Sequence, residues 1–370
     1  MNFDFSDEHK MIRKQAKVML REHASIERVR GVLDSEAQYD TQLWQQMVEL
    51  GWPAVAIPEQ YGGLGMGQLA QCVIAEQLGA SLAPTPFASS SYLATELLLL
   101  AGSDTQKQHW LPQLAEGAVI GTVAISDGDT PCVYQDGAIS GIKLPVADGM
   151  AADFALVRAQ EVQAEEAEND ELVDSWFVVA LAPTLRKTVD TLDPTRSAAL
   201  IQFESTPAER LGASGQAPGL QSQLFDRAAV LLAFEQLGGA GACLQASVAY
   251  SMGRYAFSKP IASFQAIKHK LADVFTAIEL LRANAMYGAW ALAEDAPDLP
   301  LAAATARVAG CQAYTLAAAE NIQVHGGNGF TWEFDCHLHY RRAAWLDGLI
   351  GGEDVWKHKL VDALKTTEQV

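Results

Sequence analysis

The order of secondary-structure patterns along the chain constrains the fold most strongly. Helical patterns fill residues 1–117, short strand patterns fill 118–213, and long helical patterns fill 214–370. Such segregated blocks are typical of α+β proteins with separate domains, whereas a doubly wound sheet would alternate strands and helices. We therefore predict an N-terminal α-helical domain (1–117), a middle antiparallel β-sheet domain (118–213) and a C-terminal helical bundle domain (214–370).

Apolar periodicity and capping residues place the individual elements. The predicted helices of the first block, which a glycine-rich turn at Pro58–Gly65 interrupts, are Ser6–Arg21, Thr41–Leu50, Leu69–Leu78, Ser91–Ala101 and Asp104–Ala115. The predicted strands are Ile120–Ile125, Ala138–Leu144, Phe154–Arg158, Trp176–Leu181 and Ala199–Gln202, and the acidic run Gln160–Asp174 is predicted as a solvated hairpin loop. The predicted helices of the last block are Leu224–Gly253, Phe264–Ala293, Leu301–Val324 and Trp356–Leu364, with Gly326 as a C-terminal cap.

Composition excludes several classes of function. The formal charge is −19, which repels nucleic acids and anionic membranes. No uninterrupted apolar run reaches the roughly eighteen residues that span a bilayer, and the acidic start lacks the pattern of a secretory signal, so we expect no membrane insertion. The five cysteines are odd in number and widely spaced without a CxxC, which predicts buried, inert thiols and a cytoplasmic location.

The segment Tyr250–Asp273 carries the strongest functional signal. A helix ends at Arg254, a short link follows, and a second long helix begins at Phe264-Gln265, so Arg254, Phe257 and Gln265 are predicted to lie together at one end of the bundle. Arginine pairs with pyrophosphate, phenylalanine covers aromatic rings and glutamine hydrogen-bonds a nucleotide. Taken alone, an arginine at a helix C-terminus equally fits a surface residue that stabilises the helix dipole.

A second segment, Asn321–Glu333, contains three glycines within four positions at 326, 327 and 329. Such glycines let backbone approach a ligand closely, and their amides can hold an anion. The same glycines also fit a simple helix terminator.

Together these two segments resemble the flavin-contacting motifs of the acyl-CoA dehydrogenase family, and the turn at Pro58–Gly65 resembles that family's N-terminal turn. The resemblance covers nearly the whole chain and implies FAD at an interface between subunits of a tetramer. By this resemblance, the side chains that reach the FAD of one active site are Arg254, Phe257, Ile261, Phe264 and Gln265. Likewise by resemblance, Gln323, Gly326 and Gly327 touch the adenosine diphosphate part from the neighbouring subunit, and Ser126 occupies the place of a hydroxyl beside the flavin ring.

Two positions depart from the family pattern. The family loop Glu-Pro-x-x-Gly-Ser-Asp is replaced here by Asp127-Gly-Asp-Thr-Pro131, and Ser258 replaces the usual glycine of the first motif. These departures affect the expected contacts of the chain with the flavin ring and with the acyl-CoA.

The residue that the family uses as a base is missing from its usual places. The family reaction removes the α-proton of an acyl-CoA thioester with a glutamate while the β-hydrogen leaves as hydride. By resemblance, that glutamate would stand at position 228 or at position 350, or at 351 if the alignment shifts by one residue. These residues are Ala228, Ile350 and Gly351, and none of them can accept a proton. We therefore leave the catalytic residue unassigned.

Three nearby acids are candidate substitutes for this base. Asp226 points to another face of its helix than position 228, and it also fits a capping or ion-pairing acid. Glu235 shares the face of position 228 but lies roughly 10 Å along the axis. Glu353 follows position 350 by three residues, and it also fits an acid at a helix N-terminus.

The segment Gly329–Ala343 resembles a sub-branch of the family that acts on bulky acyl-CoA chains, including those of steroid side-chain breakdown, in which some α2β2 heterotetramers contain a subunit without the base. Its His337-x-His339 pair lacks the spacing of a helical two-histidine site, so we expect no metal.

The predicted function is FAD-dependent α,β-dehydrogenation of an acyl-CoA, with an electron-transfer flavoprotein as acceptor, by a homotetramer or by an α2β2 heterotetramer with a related subunit. The preferred form is a partner subunit whose sister chain supplies the glutamate. The alternatives are a non-catalytic scaffold subunit and an active homotetramer that uses Glu353 or a water.

Overall fold

The structure is a computed structural model that describes residues 5–162, 172–182 and 186–367. The chain divides by compactness into two units. We call the first the bundle unit, which comprises the chain up to Arg30, Gln68–Ala83 and the chain from Asp226 onward. The second, the sheet unit, comprises Gly31–Gly67 and Pro84–Phe225. The domain boundaries after residues 117 and 213 stay predictions.

The described residues form eleven α-helices and one π-helical segment. In chain order the α-helices are α1 Asp7–His23, α2 Ile26–Leu33, α3 Thr41–Glu49, α4 Gly67–Ala80, α5 Thr95–Ala101, α6 Asp104–Ala115, α7 Ala217–Gly253, α8 Gln265–Ala293, α9 Leu299–His325, α10 Cys336–Gly348 and α11 Glu353–Thr367. The helical segment predicted from Ser91 begins instead as a π-helix, Ala88–Ala94, that continues into α5. Helices α2 and α10 were not predicted.

Capping side chains explain why several helices begin where they do. The Ser6 hydroxyl accepts a hydrogen bond from the His9 amide at the start of α1, as the sequence predicts. The Asp40 carboxylate accepts from the Leu43 amide at the start of α3. The predicted glycine-rich turn is a short 3-10 helix, Glu59–Tyr61, that ends at Gly62 with φ +78°.

The sheet unit contains an eight-stranded sheet. Its strands are β1 Gly121–Ala124, β2 Val133–Gln135, β3 Ala138–Ala147, β4 Phe154–Val162, β5 Leu172–Ala180, β6 Arg186–Val189, β7 Ala198–Pro207 and β8 Glu209–Leu211. The order is β6-β7-β3-β2-β4-β5-β8, with β1 paired to β4. The five predicted strands are confirmed, whereas the three- and four-residue strands β2, β6 and β8 were missed because so short a pattern carries little signal.

The predicted antiparallel sheet needs a correction, because β1 and β2 each pair in parallel with β4. Side-chain alternation reports which face is buried but not which way a neighbouring strand runs. The prediction of a hairpin loop over the whole acidic run also needs a correction. Strands β4 and β5 extend into this run from both sides, and Val162 lies opposite Leu172 in the antiparallel ladder. The rest of that run, residues 163–171, lies outside the described residues.

Small residues let α4 and α7 approach closely in the bundle unit. A Cβ at Gly79 would lie 1.8 Å from the Glu235 carbonyl oxygen, and a Cβ at Gly238 would lie 1.7 Å from the Glu76 carbonyl oxygen. Neither position accepts a side chain without moving backbone. The two helices therefore cross at a contact fixed by these glycines.

Helix α7 is long and apolar enough to cross a membrane by length and composition, but 78% of its most apolar window is buried inside the structure, as in the core helix of a folded domain. The five cysteines are free and buried, as predicted. Burial raises the pKa of the Cys132, Cys311 and Cys336 thiols to about 11, which keeps them protonated and inert at neutral pH.

Candidate functional site

The link between α7 and α8 is a β-hairpin at one end of the bundle unit. Strand β9, Tyr255–Ala256, pairs antiparallel with β10, Lys259–Pro260, and the Ile261 amide donates to the Arg254 carbonyl at 2.8 Å. Helix α7 ends at Gly253 and α8 begins at Gln265, close to the predicted bounds. The hairpin returns the chain to Arg254 at Ile261, four residues before Gln265, and the predicted approach of Arg254 and Gln265 stays a prediction.

The two-residue turn of this hairpin projects an aromatic ring from the surface. Phe257 and Ser258 both have positive φ, +52° and +63°, the combination that a type I′ turn requires. Glycine adopts this backbone without strain, and serine does not. The Phe257 side chain is 90% exposed and meets the Phe264 ring edge-on at 6.2 Å, so most of its apolar surface has no cover within the described chain.

The remaining residues of the first motif lie just before α8 or at its start. Ile261 opens a 3-10 helix, Ile261–Ser263, and Phe264 precedes α8 with an extended backbone. The Lys259 ammonium lies 4.5 Å from the centre of the Phe264 ring. Arg254 and Gln265 are exposed, so their polar groups are accessible for a ligand.

The second motif closes α9. Gly326, with φ +61°, follows the last helical residue His325, and its amide donates to the Gln323 carbonyl, so the predicted cap is confirmed. Gln323, Gly326 and Gly327 are exposed, and a Cβ at either glycine would meet no atom within 4 Å. The backbone here is open to close approach by a ligand.

Tyr250 connects the two motifs through side-chain contacts, a role that the sequence did not predict. Its ring stacks on the buried His325 at 4.0 Å, and its hydroxyl accepts a hydrogen bond from the Asn328 side-chain amide at 3.2 Å. His325 in turn lies 2.8 Å from the Asn321 carbonyl through Nδ1. The ends of α7 and α9 are therefore held at the same end of the bundle, which the sequence signalled only by placing an aromatic residue one turn before Arg254.

Ser126 lies in the sheet unit directly after β1. Its side chain is exposed, and its carbonyl accepts from the Leu144 amide at 3.0 Å. In the divergent loop that follows, the Asp127 carboxylate pairs with the Lys143 ammonium at 2.6 Å and accepts from the Cys132 amide at 3.0 Å. Lys143 is 1% exposed, so Asp127 compensates a buried cation and the loop is fastened to β3.

Both positions predicted from the resemblance to carry the base hold packed apolar side chains. Ala228 on α7 is fully buried, and Ile350, just after α10, is 3% exposed. The Ile350 carbonyl accepts from the Trp356 indole N–H at 3.3 Å, which ties this segment to α11. Neither side chain has a titratable group.

The two weak candidates for the base are held in ion pairs. The Asp226 carboxylate, 5% exposed, lies 2.7 Å from the Lys359 ammonium on α11. Burial raises the pKa of Asp226, and Lys359 opposes that shift. The Glu353 carboxylate at the start of α11 accepts from the Lys357 ammonium and the Gln312 amide, both at 2.7 Å, and these bonds lower its pKa. A carboxylate held in its charged form at a helix N-terminus is a weak proton acceptor.

Buried arginines organise the segment that carries Ile350. Arg307 on α9 is fully buried; it donates to the Gln236 side chain at 2.9 Å and to the carbonyls of Leu346 and Asp347 at the end of α10. These carbonyls are among those that a helix leaves without an internal partner. The sequence offered no sign that Arg307 would serve as this internal cap.

Arg342 on α10 is also fully buried. It donates to the carbonyls of Leu82 and Ala83 at 3.2 Å and 3.5 Å, and it lies 3.8 Å from the Glu235 carboxylate. Glu235, 2% exposed, is therefore compensated inside the core, away from position 228 as predicted from the helix rise.

The two histidines of α10 take separate roles. The His339 ring lies 2.9 Å from the Tyr314 hydroxyl, and the His337 ring stacks on Trp332 at 4.8 Å. Within residues 5–162, 172–182 and 186–367, no group of three or more His, Cys, Asp or Glu residues is arranged to hold a metal ion.

Comparison with known proteins defines the class of this protein. The model of the acyl-CoA dehydrogenase N-terminal domain matches residues 6–118, and that of the acyl-CoA dehydrogenase C-terminal domain matches residues 219–362. The acyl-CoA dehydrogenase IpdE2 of Mycobacterium tuberculosis is 35% identical over 339 residues, which cover 91% of each chain. The chain belongs to the acyl-CoA dehydrogenase family.

Two solved structures bear on the predicted sub-branch. The Tcur3481-Tcur3483 steroid ACAD G363A variant has a TM-score of 0.85 at 27% identity, covering 98% of this chain and 99% of that one. The ChsE4-ChsE5 complex from Mycobacterium tuberculosis has a TM-score of 0.87 at 25% identity, covering 99% of each. The predicted fold and the predicted resemblance to this sub-branch are thus confirmed. The assignment of individual flavin-contacting residues stays a prediction.

Proposed function

We propose that this chain is the partner subunit of an FAD-dependent acyl-CoA dehydrogenase, in which a related sister chain supplies the catalytic glutamate. The observation that carries the proposal is a contrast within the bundle unit. The segments that resemble the flavin motifs are exposed at one end, whereas Ala228 and Ile350 fill the two base positions with buried apolar side chains.

The residues at the bundle end fit FAD by their chemistry. The Arg254 guanidinium would pair with the pyrophosphate, and the exposed Phe257 ring would gain apolar contact on an aromatic face. Gln265 would hydrogen-bond the nucleotide, with Ile261 and Phe264 beside it. On a neighbouring subunit, Gln323 and the open backbone at Gly326 and Gly327 would meet the adenosine diphosphate part.

Bound FAD supplies the capacity to accept a hydride, which no amino-acid side chain has. What the chain's own residues do is bind and orient. In the sheet unit Ser126 would place its hydroxyl beside the flavin ring, on a loop that Lys143 and Asp127 hold in place.

None of the three candidate acids, Asp226, Glu235 and Glu353, fits the role of proton acceptor. Asp226 and Glu353 are each ion-paired at 2.7 Å, and Glu235 lies opposite Arg342. A general base needs a raised pKa and a free path to the substrate. Glu353 has a lowered pKa, and Asp226, whose pKa burial raises, is 5% exposed and held by Lys359. A glutamate from a sister subunit would supply the general base that this chain lacks. The assembly would then be an α2β2 heterotetramer in the cytoplasm, with an electron-transfer flavoprotein as acceptor.

The substrate class we propose is a bulky acyl-CoA, such as one with a steroid-derived side chain. Its support is the likeness to the steroid ACAD variant and to the ChsE4-ChsE5 complex.

The test compares the purified chain alone with the chain co-expressed with the product of a neighbouring dehydrogenase gene. We expect the lone chain to leave the flavin absorbance unbleached when steroid-side-chain and straight-chain acyl-CoAs are added without oxygen. We expect the co-expressed pair to retain FAD and bleach. A glutamate-to-glutamine change at the sister chain's base should abolish bleaching, whereas Glu353→Gln and Asp226→Asn in this chain should leave it.

Two results would overturn the proposal. Bleaching by the lone chain that Glu353→Gln abolishes would make it an active homotetramer. A co-expressed complex that stays colourless with added FAD would make the chain a flavin-free scaffold.

A further inference from the structure

A groove of about 700 Å³ lies within the bundle unit, between α1, α4 and α7. One wall is a ladder of cations on α1, formed by Lys10, Lys14, Lys17 and Arg21. Their spacing of four, three and four residues places them on one face of the helix over about 16 Å. Arg13 and, from α8, Arg282 add two further cations to the lining.

The charge of this groove is opposite to that of the protein. Six cations line it, although the whole chain has a formal charge of −19. Glu76 is the one acid among the described lining residues, and its carboxylate is shared by Arg13 at 3.1 Å and Arg282 at 3.5 Å. Lys14, Lys17 and Arg21 have no ion pair with any part of the chain that the structure describes. Like charges held this close repel one another, and an anionic ligand would relieve that repulsion.

The floor of the groove leaves room for a ligand. It is formed by small residues of α7, among them Gly238, Gly241 and Ala242. The close contact of Gly238 with the backbone of α4 fixes this floor, while a Cβ at Gly241 would meet no atom within 4 Å. Leu20 and Leu237 add apolar surface, and Gln77 and Gln245 add hydrogen-bonding groups. The volume falls within the usual range of small-molecule sites.

The groove is distant along α7 from both Ala228 and Arg254. Gly241 lies thirteen residues from Ala228 and thirteen from Arg254, which is about 20 Å along α7 in either direction. A ligand beside Gly241 would therefore reach neither Ala228 nor Arg254.

We propose that this groove binds a small anion that carries two or more phosphates. A ladder of lysines and arginines provides the charge-assisted hydrogen bonds that phosphate oxygens accept, at several points along its length. A concave volume with apolar and amide groups beside the cations favours such a ligand over the surface of an acidic protein, which would contact only the rim. A nucleotide and an inorganic polyphosphate share this chemistry, and the test separates them.

The test measures binding to the full chain by calorimetry with ATP, adenosine 3′,5′-bisphosphate, inorganic triphosphate and adenosine. We expect the phosphorylated compounds to bind and adenosine not to bind. Because the ligand is held by charge, we expect Kd to rise several-fold between about 50 and about 200 mM salt. ATP tighter than triphosphate would indicate a nucleotide site, and equal affinity would indicate a polyphosphate site; both support the proposal.

Two matched pairs of variants locate the site. Lys14→Gln with Lys17→Gln removes two cations and should weaken binding by about tenfold or more, because two charge-assisted hydrogen bonds to phosphate are lost. The exposed pair Lys187→Gln with Lys365→Gln removes the same charge elsewhere and should leave Kd unchanged. Gly241→Leu should fill the groove without changing its charge and also weaken binding, whereas Gly31→Leu, at an equally open helical position, should not.

Arg254→Ala should leave binding at the groove unchanged, which distinguishes it from the flavin motifs. The proposal is overturned if none of the phosphates binds at low salt, if the groove variants bind as tightly as the wild type, or if a polyglutamate peptide binds there and the phosphates do not.

Discussion

Exposure differs sharply between the end of the bundle unit that carries the predicted flavin motifs and the two predicted base positions. At the motif end Phe257 is 90% exposed and Arg254 and Gln323 are open to solvent. At the base position Ile350 is 3% exposed and Ala228 is fully buried. The first region keeps polar groups and apolar surface uncovered at a cost in stability, while the second has been packed as ordinary core.

On the proposed function, this difference means that the fold keeps the surface for a cofactor while a sister chain supplies the base. A carboxylate in an apolar pocket is expensive to bury, because desolvation penalises its charge. An isoleucine at that place adds apolar burial instead. Arg307 holds the end of α10 through two carbonyls, which fixes the segment that leads to Ile350.

The largest expected effect tests whether the base position is closed. Ile350→Glu should lower the free energy of unfolding by about 3 kcal/mol near neutral pH, because it buries a carboxylate without a partner. Its folded pKa would lie above the unfolded value of about 4.3, so the variant is most stable below that pH and loses stability as pH rises through the folded pKa. Urea unfolding at several pH values measures this.

The control for that substitution is Ile350→Gln, which has a similar shape without a charge. It should be destabilised to an extent that does not change with pH. If Ile350→Glu is as stable as the wild type at neutral pH, the position is open to water and the contrast between the two regions is lost.

The next effect tests the open region. Arg254→Ala should weaken FAD retention by the complex with its sister subunit about ten- to a hundredfold, because a charge-assisted contact to the pyrophosphate is lost. Flavin absorbance after gel filtration measures this retention. Arg254→Lys keeps the charge but not the planar guanidinium, so its FAD retention should lie between those of the wild type and Arg254→Ala. Unchanged flavin content in Arg254→Ala would remove this arginine from the site.

The smallest effect concerns the backbone of the same hairpin. Ser258→Gly should raise the thermal midpoint by an amount equivalent to about 0.5–1 kcal/mol, because glycine adopts the observed φ of +63° without strain. Ser258→Ala, which keeps a Cβ, should give no such gain. An equal gain from alanine would mean that the serine side chain, rather than the turn, is the source of the strain.

The sequence predicted the helical elements well where the apolar pattern was long. Helices α1, α6, α8 and α9 begin and end within about two residues of prediction, because capping residues such as Ser6 and Gly326 mark their ends. Short elements carried too little pattern, so α2 and the strand Glu209–Leu211 were missed. The parallel pairing of β1 and β2 with β4 depends on which strands meet, which side-chain alternation does not encode.

The sequence by itself determined which residues are available: two flavin-like motifs, no carboxylate at positions 228 or 350, and a short link with a serine where the family usually has glycine. Only the tertiary structure decided which groups meet. Tyr250 stacks on His325 across 75 residues of sequence, Asp226 meets Lys359, and the cations of α1 face the small residues of α7. Helices and their caps depend on backbone geometry and on residues close together in the sequence. Ion pairs and grooves depend on how helices that are distant in the sequence pack together.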